Sequence, residues 1–132
     1  MSAAVTEGIL VEVSSAFVES RSSPAEGEYY FAYTVRIANG GSSTVKLVSR
    51  RWVIIDGQGH VEEVRGAGVV GHQPVLRPGE AFQYTSACPL GTSHGSMRGT
   101  FQMVRDDGTR FEATIAPFEL AIPSEQHERL LN

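Results

Sequence analysis

Hydrophobic and polar residues alternate along most of this chain with a period of two, the pattern of strands that bury one face and solvate the other. Ile9, Val11 and Val13 alternate with Leu10, Glu12 and Ser14, and Phe17-Val18 extend the run. Ser20 to Glu28 gathers serine, proline and glycine into a connection. Beyond it, Tyr29, Phe31, Tyr33, Val35 and Ile37 share one face of a second strand, which Asn39-Gly40-Gly41 ends as a turn. From Thr44 to Asp56 the apolar face changes parity: Val45 and Leu47 are odd, Trp52 and Ile54 even. A bulge or kink near Ser49 to Arg51 is therefore expected. Asp56-Gly57-Gln58-Gly59 reads as a hairpin turn into Val61 to Val64.

Arg77-Pro78-Gly79-Glu80 reads as a turn before a short strand, marked by Phe82 and Tyr84, that reaches Ser86. Cys88 to Gly95 reads as a loop. Met97, Phe101 and Met103 then alternate in a further strand, Asp106-Asp107-Gly108 turns the chain, and Phe111, Ala113 and Ile115 supply the next. A last alternation, Phe118, Leu120 and Ile122, stops at Pro123. Short strands, regular turn signals and no run at helical spacing predict an all-β fold, an antiparallel sandwich of about seven or eight strands, fibronectin type III or immunoglobulin-like. A closed barrel satisfies the same pattern. One domain over 1–123 is expected, with 124–132 a loose tail or at most one helical turn.

Composition narrows this picture. A chain of 132 residues can bury a core without metal or disulfide staples. Its one cysteine, Cys88, excludes the immunoglobulin bridge and points to a reducing, cytoplasmic compartment. No apolar run approaches the roughly 18 residues of a membrane span. A net charge of −4 argues against broad nucleic-acid binding, which rests on a basic face. Arg50-Arg51, the one adjacent basic pair, reads as part of a solvated strand edge.

The candidate chemistry centres on Val64 to Pro74, VRGAGVVGHQP, with Gly66, Gly68 and Gly71 in G-x-G-x-x-G spacing. Glycines tolerate positive φ and let successive amides line an anion-binding nest, and Arg65, His72 and Arg77 stand nearby. A dinucleotide fingerprint must open a helix, however, and Pro74 and Pro78-Gly79 leave no room for one. A glycine-rich crossover between strands is the simpler reading.

Gly91-Thr92-Ser93-His94-Gly95 matches the hydrolase pattern G-x-S-x-G but precedes a strand where a helix is required. His60, His72, His94 and His127 have no metal-ligand spacing, and Asp106-Asp107 is explained by a hairpin tip. Cys88 lacks a spaced histidine, and Tyr29, Tyr30, Phe31 and Tyr33 read as packing residues. No catalytic residue, metal site or cofactor is expected.

Taken together, YYFAYTVRIANGG (29–41), RRWVIIDGQG (50–59), GAGVVGHQPVLRPGEAFQYTS (66–86) and GSMRGTFQMV (95–104) resemble the ApaG family, and the similarity runs from about Val11 to Pro123. The resemblance implies a fibronectin type III-like sandwich. It also implies an association with cobalt and magnesium efflux and a gene neighbourhood with a diadenosine tetraphosphate hydrolase. In eukaryotic relatives it implies a recognition domain appended to F-box proteins. Ala87 after Tyr84-Thr85-Ser86, Thr92-Ser93, and Ile115-Ala116-Pro117-Phe118 depart from the family's usual loops. The expected function is a non-enzymatic module that presents loops or an edge strand to a protein partner. The alternative is a pyrophosphate-containing nucleotide, with a divalent ion bridging, at the loop of Arg65, Gly66, Gly68, Gly71 and His72.

Overall fold

The alternating segments fold into nine strands in a computed structural model that describes residues 1–123, so the tail at 124–132 lies outside the described residues. In chain order they are β1 (Ser2–Thr6), β2 (Ile9–Phe17), β3 (Tyr29–Asn39), β4 (Val45–Asp56), β5 (Val61–Ala67), β6 (Val75–Leu76), β7 (Ala81–Leu90), β8 (His94–Arg105) and β9 (Arg110–Ala121). Two antiparallel sheets face each other. One has the order β1-β2-β3-β7, the other β5-β4-β8-β9 with β6 paired to β4. The arrangement is a sandwich and not a closed barrel, because each sheet ends in unpaired edges.

The strict alternation of β3 buries Phe31, Tyr33, Val35 and Ile37 against Trp52, Phe101, Met103, Ile115 and Phe118 of the opposite sheet. The expected parity change in β4 is present, one residue earlier than read: Leu47 faces Met103 while Ser49 faces Gln102, which leaves Val48 as the bulged residue. A second irregularity explains why Ile115 and Phe118 looked like separate strands. Met97 opposes Phe118 and Gly99 opposes Ile115, so Ala116 and Pro117 bulge within one continuous β9, and Pro117 sits where no ladder bond is lost.

Three other boundaries differ from the reading of the sequence. Strand β1 has little apolar alternation and forms a hairpin with β2 through Glu7 and Gly8, both at positive φ. The segment read as a loop at Cys88 to Gly95 is mostly strand, since β7 runs to Leu90 and β8 starts at His94. The connection at 20–28 contains two short 3-10 turns, Glu19–Arg21 and Pro24–Glu26.

Asn39, the one buried polar residue among those described, ties the end of β3 to its surroundings. Its Nδ2 donates to the carbonyls of Ser43 (2.8 Å) and Leu76 (2.9 Å), and its Oδ1 accepts from the Gly41 amide. All its polar atoms are paired, which is what makes burial of an amide tolerable.

The two lateral sides of the sandwich differ. On one, β9 packs on β1 and β2, and side chains stitch the sheets together: Ser2 Oγ donates to Ala116 O (2.9 Å), Ser15 Oγ to Glu119 O (2.8 Å), and the Thr114 amide to Thr6 Oγ1 (3.0 Å). On the other, the edges β5 and β7 face each other, and among the described residues no hydrogen bond joins them. That side is open.

Candidate functional site

The glycine segment is a tight hairpin. The Gly68 amide donates to Val48 O (2.8 Å), and Val69 and His72 exchange amide-to-carbonyl bonds of 2.8 Å in both directions. Val70 and Gly71 form the two-residue tip at φ 42° and 82°. A cradle for an anion needs amides that converge on the ligand, whereas those of Gly68, Val69 and His72 are committed to the chain itself. Gly68 is required by space as well as by its φ of 59°: a Cβ there would lie 2.1 Å from His72 O. Buried Val69 anchors the hairpin in the core, while the exposed His72 ring stands 6.0 Å from that of Phe82.

The other expected site residues lie elsewhere. Arg77 is engaged in its own turn, where Glu80 accepts from its amide at 2.7 Å. Arg65 pairs with Glu63, which also accepts from Arg51 at 3.2 Å. These two arginines hold the Glu63 carboxyl below its ordinary range. Arg65 and Gly66 do come together with Arg50 and Arg51 around a hollow of about 400 Å³ that neither Gly71 nor His72 lines. The structure thus separates the arginine end of the expected site from its histidine end.

Sequence reasoning missed the feature that the open side creates. Between β5 and β7 lies a cleft of about 270 Å³ lined by Tyr33, Trp52, Ile54, Val64, Cys88 and Met97, with Arg50 and Glu62 among its polar groups. Arg50 reaches it because of the bulge at Val48: it pairs across the sheet with Phe101 and Gly66, which places it on the inner face with Trp52 and Ile54. Its guanidinium lies over Gly66, where a Cβ would stand 2.8 Å from Cζ, and its Nη1 donates to Ala67 O (3.0 Å) and Gly68 O (2.9 Å). Among the described residues it has no carboxylate partner. The signal was in the sequence, since Arg50 shares even parity with Trp52 and Ile54.

Tyr33 lines this cleft, and the Arg50 charge acts on both Tyr33 and Tyr84. The Tyr84 hydroxyl is buried with no hydrogen-bond partner among the described residues, and Tyr33 faces Ser86. Burial raises the titration of both, with the Arg50 charge opposing it. The Cys88 thiol is pushed up to about 11 by burial and then by the Glu62 carboxylate. Because the folded value is raised, its contribution to stability is present below the unfolded pKa and is lost as pH rises through the folded one. Native Cys88 should react with a disulfide reagent near pH 8 on the order of 100-fold more slowly than the denatured chain. A native rate equal to the denatured one would contradict this burial.

The remaining described candidates stand in turns. The Gly91 to Gly95 motif lies in the turn into β8, so a strand follows it, and Ser93 Oγ stands 3.5 Å from Nδ1 of the adjacent His94. Asp107 accepts from the amide and hydroxyl of Thr109 at a hairpin tip. Among the described residues, no group of three or more His, Cys, Asp and Glu could hold a metal ion, and no helix is long and apolar enough to cross a membrane.

Comparison with known proteins agrees with the fold. The model of the ApaG domain matches residues 19–105. Protein ApaG of Anaeromyxobacter dehalogenans strain 2CP-1 is 63% identical over 123 residues, covering 93% of this chain and 97% of that protein. Protein ApaG of Stenotrophomonas maltophilia strain K279a is 55% identical over 119 residues, covering 90% and 94%. A crystal structure of a Bordetella pertussis protein named ApaA superposes with a TM-score of 0.85 at 52% identity, covering 87% of this chain and 94% of that one. With a domain match over most of the described residues and relatives this similar along nearly their whole length, the chain belongs to the ApaG family.

Proposed function

We propose that this protein is a non-enzymatic binding module that takes an extended segment of a partner protein as an added strand along β7. The observation that carries the reading is the contrast between the two edges on the open side. Sheet edges are ordinarily protected by charge, and β5 has Glu62, Glu63 and Arg65 among its seven residues. Strand β7, AFQYTSACPL, has no charged residue in ten.

Alternation identifies the backbone groups that a partner would meet. The Asn39 amide donates to Glu80 O at 2.9 Å, so even-numbered residues of β7 bond to β3, and the amides of Ala81, Gln83, Thr85 and Ala87 face outward. Pro89 falls in the outward set, where its missing N–H costs no ladder bond. Main-chain bonds along such an edge supply affinity, and side chains entering the cleft supply selectivity. A role in cobalt and magnesium efflux would, on this reading, be exerted through the partner.

The test selects peptides of about 10 residues, enough to span β7, from a displayed random library on the full chain. Selected peptides should slow amide exchange at Gln83, Thr85 and Ala87 and should bind Gln83→Pro at least about tenfold more weakly. Circular dichroism would establish that this variant keeps its fold. Failure to select any peptide, or protection confined to another surface, would remove strand addition as the function.

A second reading has its own observation, the convergence of Arg51 and Arg65, on the outer face, with Gly66 on one hollow that Gln102 and Glu112 also line. Guanidinium groups are suited to phosphate oxygens, so a pyrophosphate-containing nucleotide would be held here by side chains and not by the loop amides. Saturable shifts of the Arg51, Arg65 and Gly66 amides with inorganic pyrophosphate or ADP, with and without magnesium, would support it. Unchanged spectra at millimolar ligand would dismiss it.

A further inference from the structure

The cleft beside β7 is polar at its two ends and apolar between them, and this arrangement specifies a ligand. On the inner face of β5, Glu62, Val64 and Gly66 stand opposite Ile54, Trp52 and Arg50 of β4. Glu62 therefore occupies one end and the Arg50 guanidinium, lying over Gly66, the other, with Trp52 and Val64 between them. Four residues of strand separate Glu62 from Gly66, a span on the order of 13 Å.

The charges at the ends are not neutralised by the fold. Arg50 commits Nη1 to the Ala67 and Gly68 carbonyls, while Nη2 and Nε have no partner among the described residues. Glu62 forms no ion pair there either. Arg51 and Arg65, on the outer face of the same strands, share Glu63, so the missing partner for Arg50 is a property of the inner face. Bracing the glycine hairpin explains Nη1 and leaves the rest of the fork without a role. The Arg50 charge also acts on the buried hydroxyl of Tyr84, which has no hydrogen-bond partner among the described residues.

A strand added to β7 points alternate side chains into this cleft, and residues four apart fall on the same face. We infer that the segment this protein recognises carries an acidic side chain for Arg50 and, four residues away on the same face, a basic side chain for Glu62, with an apolar residue between them over Trp52. The inference rests on strand addition along β7 and adds the chemistry that selects the strand. A carboxylate placed on Nη2 and Nε makes charge-assisted bonds in a half-enclosed site, where they outweigh their surface equivalents. Reversing the peptide would set acid against Glu62 and base against Arg50, so the two charges also fix its direction.

The experiment sequences the library-selected peptides and compares selections on the wild-type chain, Arg50→Gln and Glu62→Gln. Wild-type binders should show an acidic and a basic position four apart. Arg50→Gln should lose only the acidic preference and Glu62→Gln only the basic one. In a single wild-type binder, replacing its acidic residue by the amide should weaken binding about tenfold or more, and that loss should vanish in Arg50→Gln. Replacing the binder's residue leaves the protein intact, and Glu62 is exposed, so neither measurement depends on Arg50→Gln folding normally.

Binders that protect β7 but show no charge preference would overturn the inference while leaving strand addition standing. The same holds for an acidic preference that persists in a folded Arg50→Gln protein, or for a basic one that persists in Glu62→Gln. A chain that selects no peptide removes both readings.

Discussion

Gly99→Ala is expected to destabilise the protein by about 3 kcal/mol or more, the largest effect of any single methyl addition in the sheet. Gly99 stands in β8 opposite Trp52 on one side and Ile115 on the other, beside the β8–β9 irregularity. A Cβ there would lie 2.0 Å from Arg51 O, 3.1 Å from Arg51 C and 3.2 Å from Trp52 Cα. All three are backbone atoms of the central strand β4, so no side chain can rotate away and the β4–β8 pairing itself must move. Gly91→Ala is the control. It has no positive φ and open space around its Cβ position, and should stay within about 0.5 kcal/mol of wild type. Urea unfolding of both variants would decide the matter. Equal midpoints would mean that β4 and β8 are not held this closely.

Phe101→Ala should cost about 3–5 kcal/mol by opening a cavity in the core. Phe101 is fully buried, and its ring meets Trp52 edge-on at 6.2 Å and 85°. Trp52 in turn packs edge-on against Phe118 at 5.9 Å and Tyr33 at 5.2 Å, so one aromatic cluster joins β3, β4, β8 and β9. Such contacts are directional, and a shrunken neighbour forfeits dispersion as well as burial. Trp52 is the only tryptophan, so its fluorescence reports the same site. The variant should unfold at lower urea and show red-shifted native emission as water gains access to the indole. Phe101→Leu, which restores much of the volume, should recover much of the loss. An unshifted midpoint for Phe101→Ala would show that the core closes around the gap.

Much of the architecture was legible because strand alternation is a local property. The five odd-numbered apolar residues of β3 must lie on one side of any extended backbone, and they did. The turns at Asp56 to Gly59 and Asp106 to Gly108 were legible for a similar reason, since their glycines and acids satisfy turn backbones directly. Strand β1 was not. Its Ser-Ala-Ala-Val-Thr run buries little, and it is held by pairing with β2 and by side-chain bonds to β9, more than a hundred residues away. The loop reading of 88–95 failed because Pro89 looks like a strand breaker, whereas on an outward edge position a proline interrupts no ladder.

The candidate site divides in the same way. By itself the sequence determined which segments extend, where they turn and which faces are apolar. It also placed glycines at 68 and 71, where the backbone is left-handed, because those properties depend on residues within a few positions of one another. Only the tertiary structure decided what the glycines do. Gly68 is required by a carbonyl four residues on, while Gly66 leaves the space that the guanidinium of a residue on the neighbouring strand fills. Tertiary pairing also decided that a bulge at Val48 turns Arg50 inward while Arg51 faces solvent, and that β5 and β7 end their sheets on the same open side. A register shift and the choice of edge strands are settled between strands distant in the chain, through hydrogen bonds that no local pattern encodes.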